Sequence, residues 1–223
     1  MRKLIVRPAS PEDHFEWQWN PQMPALEHQR LGVRVQLVNM VYEDTGQIRY
    51  DDPVLFSKRA EVHVPVRDDG HVGLVRHWRP KVIPPEVLQD FFTVDPKAMP
   101  DISLVRGIEL YECPHGLTAK AGAEAEEETG FRIMESVQIG FVTEMLSWGG
   151  APHVLYATKL SHRVSGKGPE KDEQIEGIQF FPPEEMKNIQ TICALTQASL
   201  WRFRCWGLSQ NPDSFWYSVA AKF

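Results

Sequence analysis

The sequence predicts an α/β (α+β) protein, with a small β unit ahead of a larger domain that mixes strands and helices. Three observations predict it. Apolar residues alternate along several short segments, helical stretches fall between and after those segments, and the composition is that of an ordinary globular chain, 42% hydrophobic and 24% charged. At 223 residues there is room for one well-filled domain, or for a domain with a smaller appended unit. The expected division is an arm and β unit over 1–60, the main domain over 61–210, and a C-terminal tail over 211–223.

Residues 1–30 hold Trp17, Trp19 and several prolines without a clear period, and read as an irregular arm. Val33, Val35 and Leu37 alternate, which predicts a strand over 33–41 with one covered face. Asp44-Thr45-Gly46 is a turn, and a return strand starts over 47–50. The clearest pair follows. EVHVPV (61–66) and HVGLVR (71–76) flank Asp68-Asp69-Gly70, a favoured hairpin corner because Gly accepts positive φ. Pro65 cannot donate to a ladder, so it predicts an edge or a bulge. Five prolines between 80 and 100 mark a long insertion, with a short helix around 86–92.

An apolar-polar stretch over 108–113 leads through Pro114-His115-Gly116 to a helix over 119–128, which Gly130 ends in the left-handed conformation. Strands are predicted over 137–142, 153–160 and 175–181. Pro182-Pro183-Glu184-Glu185 reads as a helix start, with proline in the first turn and acids at the positive end of the dipole. A longer helix is predicted over 191–208.

Charge and cysteine usage narrow the function. A net charge of −6 argues against a nucleic-acid backbone as the main partner, which needs clustered Lys and Arg. A small phosphate-bearing ligand stays open, because a bound divalent cation reverses the local field. Cys113, Cys193 and Cys205 are odd in number and widely spaced, which disfavours a disulfide framework or a zinc site. The eight histidines show no HxxxH grouping, and none is assigned to metal. No apolar run is long enough to span a bilayer, and Met1-Arg2-Lys3 lacks a following signal-peptide core, so the expected location is the cytoplasm, with no membrane partner.

The informative segment is Ala123-Glu124-Ala125-Glu126-Glu127-Glu128-Thr129-Gly130-Phe131. On a helix, positions three and four apart share a face, so Glu124, Glu127 and Glu128 converge while Glu126 points elsewhere. Like charges so placed repel by roughly 0.2–0.5 kcal/mol a pair, and acids in the last turn oppose the helix dipole. No Lys or Arg lies between Ala121 and Phe131 to offset them. A solvated acidic face is one explanation. The other is a cation at that face, and carboxylate oxygens suit Mg²⁺ or Mn²⁺.

This segment resembles the second half of the Nudix box, Arg-Glu-hydrophobic-any-Glu-Glu-any-Gly-hydrophobic, through Glu124, Ala125, Glu127, Glu128, Gly130 and Phe131. Its surroundings resemble the ADP-ribose pyrophosphatase-like branch of that superfamily. The run 69–80 (DGHVGLVRHWRP) is similar to the branch's strand before the box, 109–116 (ELYECPHG) to its approach, and 180–185 (FFPPEE) to a later strand-to-helix step. The resemblance spans roughly 33–208 and implies a Nudix fold, a mixed β-sheet sandwiched between helices. The box is shortened: counted from Gly116, about seven residues are missing, the usual first glutamate is absent or replaced by His115, and the usual arginine is Ala123.

The resemblance implies metal-assisted attack of water on a pyrophosphate linkage, with ADP-ribose or a nucleotide sugar as the substrate class. It implies Glu124, Glu127 and Glu128 as ligands of Mg²⁺ or Mn²⁺, with Glu127 also a candidate water acceptor. The general base is expected in the loop 161–173, Glu173 first, with Glu170 and Glu176 as alternatives. Arg76 and Arg79 are candidates for substrate phosphate or, equally, for structural ion pairs, and Arg79 is favoured because it ends its strand. Trp78, Phe141 and Trp148 could stack on a base or pack in the core. Ser147-Trp148-Gly149-Gly150 stands where the family has a substrate-side loop, without that loop's acidic residue. A homodimer formed through the N-terminal β unit is implied as well. A hydrolase is the leading reading, and a Nudix-fold nucleotide-binding or regulatory module without turnover is the second.

Overall fold

The computed structural model describes residues 4–8, 25–28, 33–56, 60–79, 108–116, 122–142, 153–166, 168, 175–189 and 193–223; the side chains of Arg79 and Glu124 lie outside its description. The proline-rich insertion, the 147–150 loop with Trp148, and the candidate bases Glu170 and Glu173 also lie outside the described residues. Two compact units are present, Met1–Ala60 with Thr143–His153, and Glu61–Val142 with Val154–Phe223.

The first unit is a four-stranded antiparallel sheet centred on β3 (Val33–Tyr42). Strand β4 (Ile48–Phe56) follows one edge of β3 from Arg34 to Val41. The other edge is shared end to end by β1 (Leu4–Pro8), opposite Val38–Tyr42, and β2 (Ala25–His28), opposite Val33–Gln36. The reading of 1–30 as irregular is corrected there. Strands of five and four residues are too short to show a period, and they form because β3 offers a row of unpaired backbone groups.

The second unit is built on a seven-stranded mixed sheet. Its strands are β5 (Glu61–Val66), β6 (Val72–Arg79), β7 (Ile108–Glu112), β8 (His115–Gly116), β9 (Phe131–Val142), β10 (His153–Val164) and β11 (Ile175–Phe181). The main order is β11-β6-β5-β10-β9, with β5 and β10 parallel. The hairpin forms as predicted, with Gly70 at φ 83 and its N–H donating to the Arg67 carbonyl at 2.9 Å.

Beyond the hairpin β5 and β6 part, sharing the single registered pair Val66↔Val72. The chain over 108–116 enters the fork, β7 on β6 and β8 on β5. This corrects the expectation for Pro65. Strand β5 is interior, not an edge. The N–H groups of His63 and Arg67 both point to the fork side, bonding Pro114 and His71, so the donor that Pro65 lacks falls between them where the ladder is already interrupted.

Among the described residues, three helices follow the sheet's two faces: α1 (Ala123–Thr129), α2 (Ala194–Leu208) and α3 (Phe215–Ala220), with a 3-10 turn at Pro183–Asn188. Alternation decides which residues meet which helix. Val62, Val64, Val66, Leu74, Leu155 and Ala157 form one core with Leu195 and Phe203 of α2 and Trp216 and Val219 of α3. His63, between Val62 and Val64, faces the side of α1. The helix predicted over 191–208 is thus confirmed from Ala194 onward, and the terminal segment 211–223 carries α3, capped where Ser214 Oγ accepts from the Tyr217 amide at 3.1 Å. At Gly207 a Cβ would stand 2.4 Å from the Ala220 Cβ, so glycine sets how closely α2 and α3 approach. No helix among the described residues is long and apolar enough to cross a membrane.

Candidate metal and substrate site

Helix α1 is short, and both of its ends are glycines in the left-handed region, Gly122 at φ 82 and Gly130 at φ 73. The Gly130 stop is the one expected from sequence, its N–H bonding the Glu126 carbonyl at 3.0 Å. Residues 117–121 lie outside the described ones, so the described helix starts at Ala123 rather than 119. Ala125 is fully buried, which explains a small residue at the position where the box carries a larger apolar one.

The glutamates separate as the helical spacing requires. Glu126 turns to β9, its Oε1 accepting from the Ile133 amide at 3.1 Å. Glu128 turns inward, only 5% exposed, and its Oε2 accepts from the His115 amide at 3.1 Å. Glu127 is half-buried. Among the described side chains no three His, Cys, Asp or Glu groups gather closely enough to hold an ion, and Glu124, one turn before Glu128, is not among them.

Counted without a gap, the first box glutamate falls at His115, whose contacts are those of a brace. Its backbone positions Glu128 while its Nδ1 lies 3.1 Å from the Cys113 carbonyl, to which it donates. Nearby, Glu112 is 3% exposed, with its Oε2 3.3 Å from His77 Nδ1. The Cys113 thiol, fully buried, is pushed far above its ordinary range by desolvation, which makes it inert packing rather than a nucleophile.

A polar group that the motif reading missed lies at the start of α1. Glu61 Oε2 accepts from the Gly122 amide at 3.0 Å and lies 3.5 Å from His63 Nε2. His63 is wholly buried, stacked on Tyr156 with ring centroids 5.1 Å apart, and its Nδ1 meets Thr158 Oγ1 at 2.9 Å. Desolvation lowers its pKa to about 4, so the ring is neutral near pH 7. The only sequence signal was a polar residue at each odd position of EVH, between buried valines.

The two candidate arginines part company. Arg76 is held between carboxylates, by Glu109 through Nε and Nη2 and by Glu176 through Nη1 at 3.2 Å. The hydrogen bond to Glu109 raises the guanidinium pKa and lowers that of the carboxylate. By strand parity Arg76 shares the face of Val72 and Leu74, opposite to α1. This is the structural ion pair that the sequence left open, and it also engages Glu176, one of the alternative bases. Arg79 ends β6 opposite Ile108. Trp78 and Phe141 are exposed rather than core. The loop expected over 161–173 starts later, because β10 runs on to Val164.

No family model matches the chain, and no curated protein does. Solved structures are more informative. The chain is similar to an ADP compounds hydrolase, at 14% identity and a TM-score of 0.53, over 82% of this chain and 89% of that one. It is also similar to a NUDIX hydrolase from Nitrosomonas europaea, at 14% identity and a TM-score of 0.42, over 66% of this chain and 88% of that one. The likeness is one of fold: among the described residues a seven-stranded mixed sheet with few helices and no closed barrel matches the Nudix α/β fold.

Proposed function

We propose that this chain is a Nudix-type hydrolase that cleaves the pyrophosphate bond of a nucleoside diphosphate derivative with the help of Mg²⁺ or Mn²⁺. The observation that carries this reading is the inward turn of Glu128, fixed by the His115 amide, one helical turn beyond Glu124. The first solved neighbour is described as hydrolysing ADP compounds, which supports the same substrate class.

The donor chemistry fits the ion. Carboxylates one turn apart on a helix that carries no basic residue in its last turn offer hard, anionic oxygens to a divalent cation. Glu124, Glu127 and Glu128 would hold it. A bound cation supplies charge neutralisation on the diphosphate and eases deprotonation of the attacking water. The chain's share is positioning and charge: the His115 amide orients Glu128, Glu127 accepts a proton from water or completes the ligand set, Arg79 binds substrate phosphate, and Glu173 acts as general base. Arg76 already has Glu109 and Glu176, so it contributes to substrate only by leaving them.

The second reading, a nucleotide-binding or regulatory module, draws on Ala123 and on the His115 ring bonded to the Cys113 carbonyl. The same family reading carries a homodimer through the N-terminal β unit, and the cytoplasm is the location the sequence leads us to expect. Purified protein with Mg²⁺ or Mn²⁺ should release phosphate-bearing products from a panel of nucleoside diphosphate sugars. Activity that survives the double change Glu124→Gln and Glu128→Gln removes the mechanism. Absence of turnover together with nucleotide-induced thermal stabilisation favours the module.

A further inference from the structure

The shortened box leaves α1 without its family brace, since Ala123 cannot pair with a carboxylate and the first box glutamate is missing. The acidic helix still needs a fixed position, because carboxylates that share an ion must converge to within a few tenths of an ångström. The structure places another acid at that spot. Glu61 opens β5, its side chain is only 12% exposed, and Oε2 accepts the Gly122 amide at 3.0 Å.

Gly122 is a tightly constrained entry point. It lies at φ 82, and a Cβ there would stand 2.4 Å from Ile133 Cδ1. Its amide is also one of the donors that a helix start leaves unpaired. A carboxylate is a strong acceptor for such a group and is favoured by the helix dipole at this end.

Behind Glu61 stands a chain of polar contacts, buried at His63 and Thr158 and open to solvent at Ser136. The Ser136 and Thr158 hydroxyls are 3.2 Å apart, Thr158 Oγ1 is 2.9 Å from His63 Nδ1, and His63 Nε2 faces Glu61 Oε2 at 3.5 Å without a hydrogen-bond partner of its own. If Thr158 donates to Nδ1, the ring proton sits on Nε2, directed at the carboxylate. The contacts run from β9 through β10 and β5 to the first turn of α1. The buried part of it, His63 with Thr158, restricts its members to one arrangement.

We propose that Glu61, backed by His63 and Thr158, is the positioning residue that clamps the start of α1 to the sheet and so sets where Glu124, Glu127 and Glu128 lie. Its consequence for metal rests on the functional reading above; the clamp itself does not. Glu61 acts through the helix backbone and touches no reacting group.

The test uses the full-length protein with Glu61→Ala and Glu61→Gln. Amide hydrogen exchange across 122–130 reads the clamp, and Mn²⁺ titration followed by electron paramagnetic resonance reads the site. Glu61→Ala should speed exchange in α1 by at least ~10-fold relative to the sheet strands, because a hydrogen bond to a charged group is lost. Metal affinity should fall on the order of 10–100-fold. Glu61→Gln keeps a carbonyl acceptor for Gly122 and should restore most of both. Unchanged α1 exchange in Glu61→Ala overturns the clamp, as does Glu61→Gln behaving like the alanine variant. Wild-type protein that takes up no Mn²⁺ removes the metal reading, while the exchange result still decides the clamp. If Glu61→Ala fails to fold, Thr158→Val takes its place and should loosen α1 in part, and intact α1 protection there counts against the network.

Discussion

The two faces of the seven-stranded sheet are made from the same strands, and one of them carries buried polar groups that the other lacks. Under α2 and α3 the contacts are apolar: Val62, Val64, Val66, Leu74 and Leu155 close around Phe203, whose ring meets Trp206, Trp216 and Phe223 at centroid distances of 6.3, 6.1 and 5.5 Å. On the α1 side the intervening positions hold His63 and Thr158, both fully buried beside the apolar Val75, Val154 and Leu160, with Glu61 at the strand's start. Burying apolar side chains stabilises by roughly 1.5–3 kcal/mol each, whereas a buried polar group contributes only about 0.5–1.5 kcal/mol when hydrogen-bonded and costs about 1–3 kcal/mol when left unpaired. One face therefore supplies most of the stability, and the other spends part of it to hold charged and polar groups in fixed places. Strand alternation lets a single β5 serve both.

That contrast can be broken most directly at Phe203. Phe203→Ala should cost about 3–5 kcal/mol by removing the centre of the apolar face, read as a lower midpoint in urea unfolding. A loss much below that would mean that the core is not organised around this ring.

The polar face should show itself through pH. The folded-state pKa of His63 is depressed from 6.5 to about 4, so the unfolded chain takes up a proton over this window while the folded one resists. The unfolded state then binds more protons, and stability falls as pH drops from 6.5 towards 4, by about 3 kcal/mol for this one group. Urea midpoints at pH 7 and pH 4 measure the fall, and His63→Gln should flatten the part that belongs to this residue. A slope that is unchanged in the variant would assign the acid sensitivity elsewhere.

The smallest effect is expected at the exposed rim. Arg76→Met should leave the unfolding midpoint within error of wild type, because Arg76, Glu109 and Glu176 are all substantially exposed. If the same variant instead lowers phosphohydrolase activity tenfold or more in steady-state assays, Arg76 exchanges its carboxylates for substrate, and both faces of the sheet serve the site.

What could be read from the sequence was local. The alternating valines of 61–66, the Asp-Gly corner and the Gly130 stop each depend on neighbours a few residues away, and all three are found. The strands β1 and β2 could not be read, because their formation depends on β3 rather than on their own period. The first half of β9 was missed for a related reason: Arg132, Met134, Glu135 and Ser136 are exposed along an outer strand and show little burial pattern. At the site, the helical spacing correctly turned Glu126 away from Glu128. Glu61 stayed hidden because the contact that gives it meaning is with an amide 61 positions away, and no residue pattern encodes a backbone partner.

The parallel pairing of β5 with β10 has a consequence for how the molecule assembles. The hairpin of β5 and β6 closes within a few residues, but His63 finds Thr158 only across 95 positions of chain. Until residues 154–159 arrive, the edge of β5 that faces away from β6 stays bare. Nascent chains and fragments that stop short of β10 thus carry an open template for pairing with one another, and the vulnerable period in the life of this protein is its synthesis.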